Sequence, residues 1–138
     1  MIGILIITHG RFGYELLKSA ELIVGHNTHA QALGLDCDSS IDRFKVKVKE
    51  AIRNLDKGDG VLVFVDLYGG SPFNAVALNL SEVNKKFRFE CITGVNLPMV
   101  LEALTMRSNL KIRELKQHCI EAGISGIKDL VKEVDMTG

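Results

Sequence analysis

Two wholly apolar runs, each closed by one chemically capable side chain, most constrain what this chain can fold into. Ile4-Leu5-Ile6-Ile7 stops at Thr8-His9-Gly10. Val61-Leu62-Val63-Phe64-Val65 stops at Asp66, with Leu67-Tyr68-Gly69-Gly70-Ser71-Pro72 directly after it. A strand with one wet face would alternate apolar and polar residues. These runs do not, so each reads as a strand buried on both faces, which implies a parallel sheet covered by helices on either side. In such sheets ligands and chemistry lie just beyond the carboxyl ends of the strands. One histidine and one aspartate are thereby directed to the same functional edge.

Helical spacing occupies the intervals between strands. Residues 12–24 carry Tyr14, Leu16, Leu17, Ala20, Leu22 and Ile23 as an apolar face, closed by Gly25. Asp38-Ser39-Ser40 opens a second helix, faced by Ile41, Phe44, Val48, Ala51, Ile52 and Leu55. A third is expected over 71–80, with Ser71 as N-cap and Pro72 at its first position. Two more are expected over 98–106 and, capped by Ser108, over 110–122. Strands are expected at 2–7, 30–35, 61–66 and 87–93. The tail 124–134, with Ile127, Leu130, Val131 and Val134, fits either a short strand or a helical turn. Strands alternating with helices build right-handed β-α-β units. In a doubly wound α/β sheet of order 2-1-3-4, the switch point falls between strands one and three, the two that end at His9 and Asp66.

The chain of 138 residues suits a single domain spanning 1–138. Its 17 Lys and Arg balance 17 Asp and Glu, which leaves no basic footprint for nucleic acid. The apolar runs fall well short of the roughly 20 residues that cross a bilayer, and the start of the chain lacks the basic region of a secretion signal. Cys37, Cys91 and Cys119 are odd in number and form no C-x-x-C pair. That pattern points to reduced thiols and a cytoplasmic setting, with no disulfide frame and no zinc site.

The residues at the strand ends point to one chemistry. His9 is a candidate nucleophile, base or metal ligand, against the ordinary alternative of a strand-end histidine satisfied by a carbonyl. Gly10 after it permits positive φ or close backbone approach. If the Asp66 carboxylate accepts the Nδ1–H of His9, Nε2 is left as the reactive lone pair. Gly69, Gly70 and Ser71 offer backbone N–H groups and a hydroxyl at a helix start, an anion cradle; no Gly-Lys-Ser/Thr is present, so the loop is not of the Walker type. A nucleophilic histidine, an orienting carboxylate and an anion cradle suit a phosphohistidine carrier that needs neither metal nor cofactor. Phosphoryl transfer relies on positioning and charge stabilisation more than on acid–base work. Other candidates are set aside. His26 and His29 read as surface residues, His118 and Cys119 as an ordinary helix pair, and Lys45, Lys47 and Lys49 as a solvated face. Met99 and Met106 read as packing residues, and Asp36 and Asp38 as loop and cap residues that at most rim the site.

Taken in order, Thr8-His9-Gly10, Val65-Asp66 with Tyr68-Gly69-Gly70-Ser71-Pro72-Phe73-Asn74, and Gly94-Val95-Asn96-Leu97-Pro98-Met99 resemble the mannose-family IIA domain of the bacterial phosphoenolpyruvate:sugar phosphotransferase system. The resemblance runs from Met1 to about Leu130. It implies that His9 carries phosphate on Nε2, that Asp66 bonds its Nδ1, and that Thr8, Gly70 and Ser71 contribute to the phosphate pocket, with Gly10 and Gly69 as further phosphate-binding candidates. It implies a phosphocarrier, HPr, as donor and a IIB domain as acceptor, and through IIB the membrane IIC and IID subunits. It further implies a homodimer in which residues 127–131 form a strand added antiparallel to the partner's sheet, with the core ending near residue 122. Arg11 is a candidate phosphate or partner contact, and Phe12, Leu67, Tyr68, Phe73 and Leu97 are candidates for the partner surface. Alternatives are a regulatory module that signals by phosphorylation state, the phosphocarrier subunit of a dihydroxyacetone kinase, and a small hydrolase. The sequence names neither the sugar nor whether a IIB module belongs to the same protein.

Overall fold

A computed structural model describes residues 1–78 and 88–137. In chain order they form β1 (Gly3–His9), α1 (Phe12–Val24), β2 (Ala30–Leu35), α2 (Ile41–Leu55), β3 (Val61–Val65), α3 (Ser71–Ala77), β4 (Phe89–Thr93), α4 (Leu97–Met106), α5 (Ile112–Ser125) and α6 (Leu130–Thr137). The four strands make one all-parallel sheet in the order β2-β1-β3-β4. The expected order 2-1-3-4 is therefore the observed one.

The pleat divides the strands between two cores, because successive side chains point to opposite faces. Ile4, Ile6, Leu62, Phe64 and Ile92 join Leu16 and Ala20 of α1, Val100 and Ala103 of α4, and Leu115 and Cys119 of α5. Leu5, Ile7, Val61, Val63 and Val65 join Phe44, Val48 and Ile52 of α2, and Ala75 and Val76 of α3. Residues 4–7 and 61–65 are wholly inaccessible, as runs without a polar member require.

Several boundaries differ from expectation for identifiable reasons. β1 continues through His9, because Thr8 pairs Gly34 and His9 pairs Leu35 on β2. The cap of α3 is Gly70, and Ser71 is its first helical residue. Lys111, whose N–H donates to the Glu114 carboxylate at 3.4 Å, opens α5 in place of Ser108. On α1 the buried face is narrower than the apolar spacing suggests, with Leu22 89% and Ile23 61% exposed. The expected end of the third helix near residue 80 and the expected start of strand four at Phe87 lie outside the described residues.

In this single copy the tail differs from the strand expected. Residues 127–131 do not form a strand; Leu130–Thr137 is helical. Asp129 opens the helix, its carboxylate accepting the Lys132 N–H at 3.2 Å and its carbonyl the Glu133 N–H at 3.0 Å. The physical reason is local. Apolar residues at 127, 130, 131 and 134 follow a spacing of three and four, and a helix satisfies its own backbone where a lone strand needs a sheet edge.

Candidate active site

Strand order alone brings β1 and β3 side by side, with Ile7 opposite Val65. The ends of the two strands then lie together, with His9 closing β1 and Asp66 directly following β3. The Asp66 carboxylate accepts the backbone N–H of His9 at 3.0 Å and lies 2.8 Å from His9 Nδ1 through the same Oδ2. Its other oxygen accepts the N–H of Leu67 at 2.9 Å. A carboxylate only accepts, so Nδ1 carries the proton and Nε2 holds the free lone pair. The Asp66 side chain is 11% exposed and that of His9 50%. Burial raises the Asp66 pKa, but the His9 N–H, the His9 ring and the Leu67 N–H outweigh it, and the carboxyl is held below its ordinary value. The site thus pairs a sheltered, firmly ionised carboxylate with an accessible imidazole.

The glycine loop fits against that imidazole. A Cβ on Gly70 would lie 3.0 Å from His9 Cε1 and 3.5 Å from Nε2, so the missing side chain is what lets the loop cover the ring edge. Ser71 is exposed and shares with His9 an open depression of ≈ 670 Å³. Gly69 is exposed at the tip, with φ +83°. Tyr68 and Phe73 stack with centroids 4.8 Å apart and bracket the loop.

Two expected phosphate-pocket residues have other duties. Thr8 is fully buried. Its hydroxyl accepts the Gly13 N–H at 2.8 Å and lies 3.2 Å from the His9 carbonyl, positioned to donate to it. It thereby serves the first turn of α1, whose cap residue Arg11 supplies no side-chain bond. The N–H of Gly10 is likewise engaged, donating to the Leu35 carbonyl at 2.9 Å. Arg11 turns along α1, 3.3 Å from Glu15 and 5.4 Å from the Tyr14 ring centre.

Sequence reasoning missed Gly34 and, apart from Asp36 as a candidate rim residue, the opposite wall. A Cβ on Gly34 would meet the Gly10 carbonyl oxygen at 1.9 Å, so β2 can pass the β1–α1 turn only as glycine. Asp36, Cys37 and Ser39, which follow β2, line the depression across from Ser71. The available signal was the strand order, which sets the end of β2 beside His9. Of the expected partner-surface residues, Phe12, Leu67 and Tyr68 are 48%, 59% and 82% exposed, while Phe73 and Leu97 pack partly into the two cores. His26 pairs with Glu21 at the surface, 3.0 Å away, and Met99 lies in the core.

A family model described as the PTS system fructose IIA component, EIIA-man, matches residues 3–120. The chain belongs to the EIIA-man family. Among its relatives, the PTS system mannose-specific EIIAB component of Escherichia coli K12 is 35% identical over 130 residues, 94% of this chain and 39% of that protein. The chain therefore spans about two fifths of that relative's length. The PTS system fructose-specific EIIA component of Bacillus subtilis 168 is 32% identical over 115 residues, 83% of this chain and 77% of that protein. A crystal structure of the EIIA component from Streptococcus agalactiae superposes with a TM-score of 0.85 at 30% identity, covering 96% of this chain and 99% of that one. As an EIIA-man protein the chain is a IIA component of the phosphotransferase system, in a family with relatives named for mannose, fructose and sorbose. Among the described residues of this EIIA-man chain, no helix is long and apolar enough to cross a membrane.

Proposed function

We propose that His9 is the phosphoryl carrier of this IIA component, accepting from phospho-HPr and donating to a IIB domain during uptake of a hexose of the mannose type. The observation that carries the reading is the single Asp66 oxygen that holds both the backbone N–H and Nδ1 of His9, leaving Nε2 free beside Gly70 and Ser71. In the proposed step the Nε2 lone pair forms the new N–P bond as the bond to the donor nitrogen breaks, in line and through a loose transition state. Nδ1 keeps its proton, so positive charge develops on the ring as phosphate is gained, and the Asp66 carboxylate stabilises it. Return of the phosphoryl group to IIB reverses these changes. Ser71 and the Gly69-Gly70 backbone are the proposed contacts for the phosphoryl oxygens. The setting is cytoplasmic, in one IIA domain that reaches the membrane IIC and IID subunits only through IIB.

The working form is proposed to be a homodimer built through the C-terminal segment. Ile124, Ile127, Leu130 and Val131 are 66%, 75%, 74% and 70% exposed, an apolar stripe that a second copy would cover.

The test is intact-protein mass after incubation with phosphoenolpyruvate, enzyme I and HPr. A gain of one acid-labile phosphoryl group, absent in His9→Ala, is the expected result. No gain with donors active on another acceptor, or labelling that survives His9→Ala, overturns the assignment.

A further inference from the structure

We propose a second anion site, at the opposite pole of the sheet from His9, that takes the phosphoryl group of a small phosphate monoester. A half-enclosed cavity of ≈ 420 Å³ lies at the amino ends of the strands. Among the described residues that line it, Arg88, Arg107 and Lys111 supply cationic side chains and Asp59 a carboxylate. That carboxylate is already engaged by the amino group of Met1 at 2.6 Å.

Arg107 makes the cavity more than a patch of surface cations. Its residue is 4% exposed, and among the described residues its guanidinium donates to carbonyls alone: Ile2 at 3.3 Å, His29 at 3.0 Å and Thr28 at 2.6 Å. These bonds tie the starts of β1 and β2 together but supply no counter-charge. A buried charge is costly unless an opposite charge compensates it. Desolvation accordingly pulls the Arg107 pKa down. The backbone of Arg88 is fixed by the Val61 N–H, which donates to its carbonyl at 2.9 Å. Two further carboxylates of the described residues have partners of their own. Glu90 pairs with Lys116 at 3.0 Å and lies 3.8 Å from Arg113, and Glu114 accepts the Lys111 N–H.

An oxyanion entering the cavity would gain two rim cations and bring negative charge to Arg107, which has none beside it among the described residues. The volume lies within the range of small-molecule sites, and arginine with lysine is the combination that recognises phosphate. From Ile2 to His9 the strand rises roughly 23 Å, so this site takes no part in transfer at His9 and does not rest on the carrier reading.

The test is a titration of the full chain with inorganic phosphate and with glucose 6-phosphate in 150 mM KCl, followed by amide NMR. The expected result is saturable shifts at Ile112 and Arg113, and at least a tenfold loss of affinity in the Arg88→Gln/Lys111→Gln double variant, with phosphoryl acceptance at His9 unchanged. Arg107 is left intact because it ties strand ends. Shifts confined to Gly70 and Ser71, or a double variant that binds as tightly as wild type, overturn the proposal.

Discussion

His9 has little freedom of its own. Its backbone is held in the sheet by Leu35 on one side and by Asp66 on the other, and its ring by Asp66 again. Asp66→Asn replaces a charged acceptor with an amide that can also turn its donor towards Nδ1, and transfer is expected to fall by 10-fold or more, on the order of the effects of losing such outer partners. Unchanged single-turnover rates would remove Asp66 from the mechanism. Because the folded carboxyl sits below its ordinary value of 3.8, its stabilising contribution is fully present above that value. It is lost as pH falls through the lower, folded-state value. Urea midpoints measured from pH 6 down to pH 2 should show wild type losing its advantage over Asp66→Asn as the solution is acidified; a constant gap would contradict this. Gly34→Ala is a sharper test of packing. Its Cβ must displace the Gly10 carbonyl, which should cost about 1–3 kcal/mol and slow labelling at the neighbouring His9. Denaturation and labelling rates, measured together, check both. In the sequence His9 and Asp66 were legible because apolar runs point at them. The structural duty of Thr8 was not legible, because a threonine beside a reactive residue looks equally apt for binding phosphate or for a helix turn, and it is the buried contact with Gly13 that shows the second.

Among the elements, those with a strong period were readable and those decided by a partner were not. β1 and β3 declared themselves, as did α2, whose buried Phe44, Val48, Ala51, Ile52 and Leu55 match the expected face apart from Ile41 at its exposed start. The apolar residues of α1 outnumber the places its neighbours provide, so Leu22 and Ile23 stay in water. α4 is set by Asn96, whose side-chain oxygen accepts the Met99 N–H at 3.1 Å while its amide donates to the Gly123 carbonyl at 3.0 Å, joining the start of α4 to the end of α5. Asn96→Ala removes both bonds and should cost about 1–2 kcal/mol. Chemical denaturation should show that loss with His9 labelling intact; a neutral effect would mean that water replaces both bonds.

For the whole molecule, the C-terminal segment marks the limit of what one chain's sequence can say about its form. Its apolar pattern is compatible with a strand or a helix, and the structure of a single copy is helical. The proposed dimer predicts that a chain ending after Gly126 sediments as a monomer while the full chain does not; a truncated chain that stays dimeric would remove the segment from the interface.

An all-parallel sheet gives the molecule two unlike ends, and the imidazole of the proposed transfer stands at one of them. Donor and acceptor in the proposed transfer would have to reach His9 over the same ground, between the Tyr68 loop and the turn after β2. They cannot stand there together. The carrier would then work as a turnstile, with each partner leaving before the next arrives, and initial rates at varied donor and acceptor should give the parallel reciprocal lines of a ping-pong exchange.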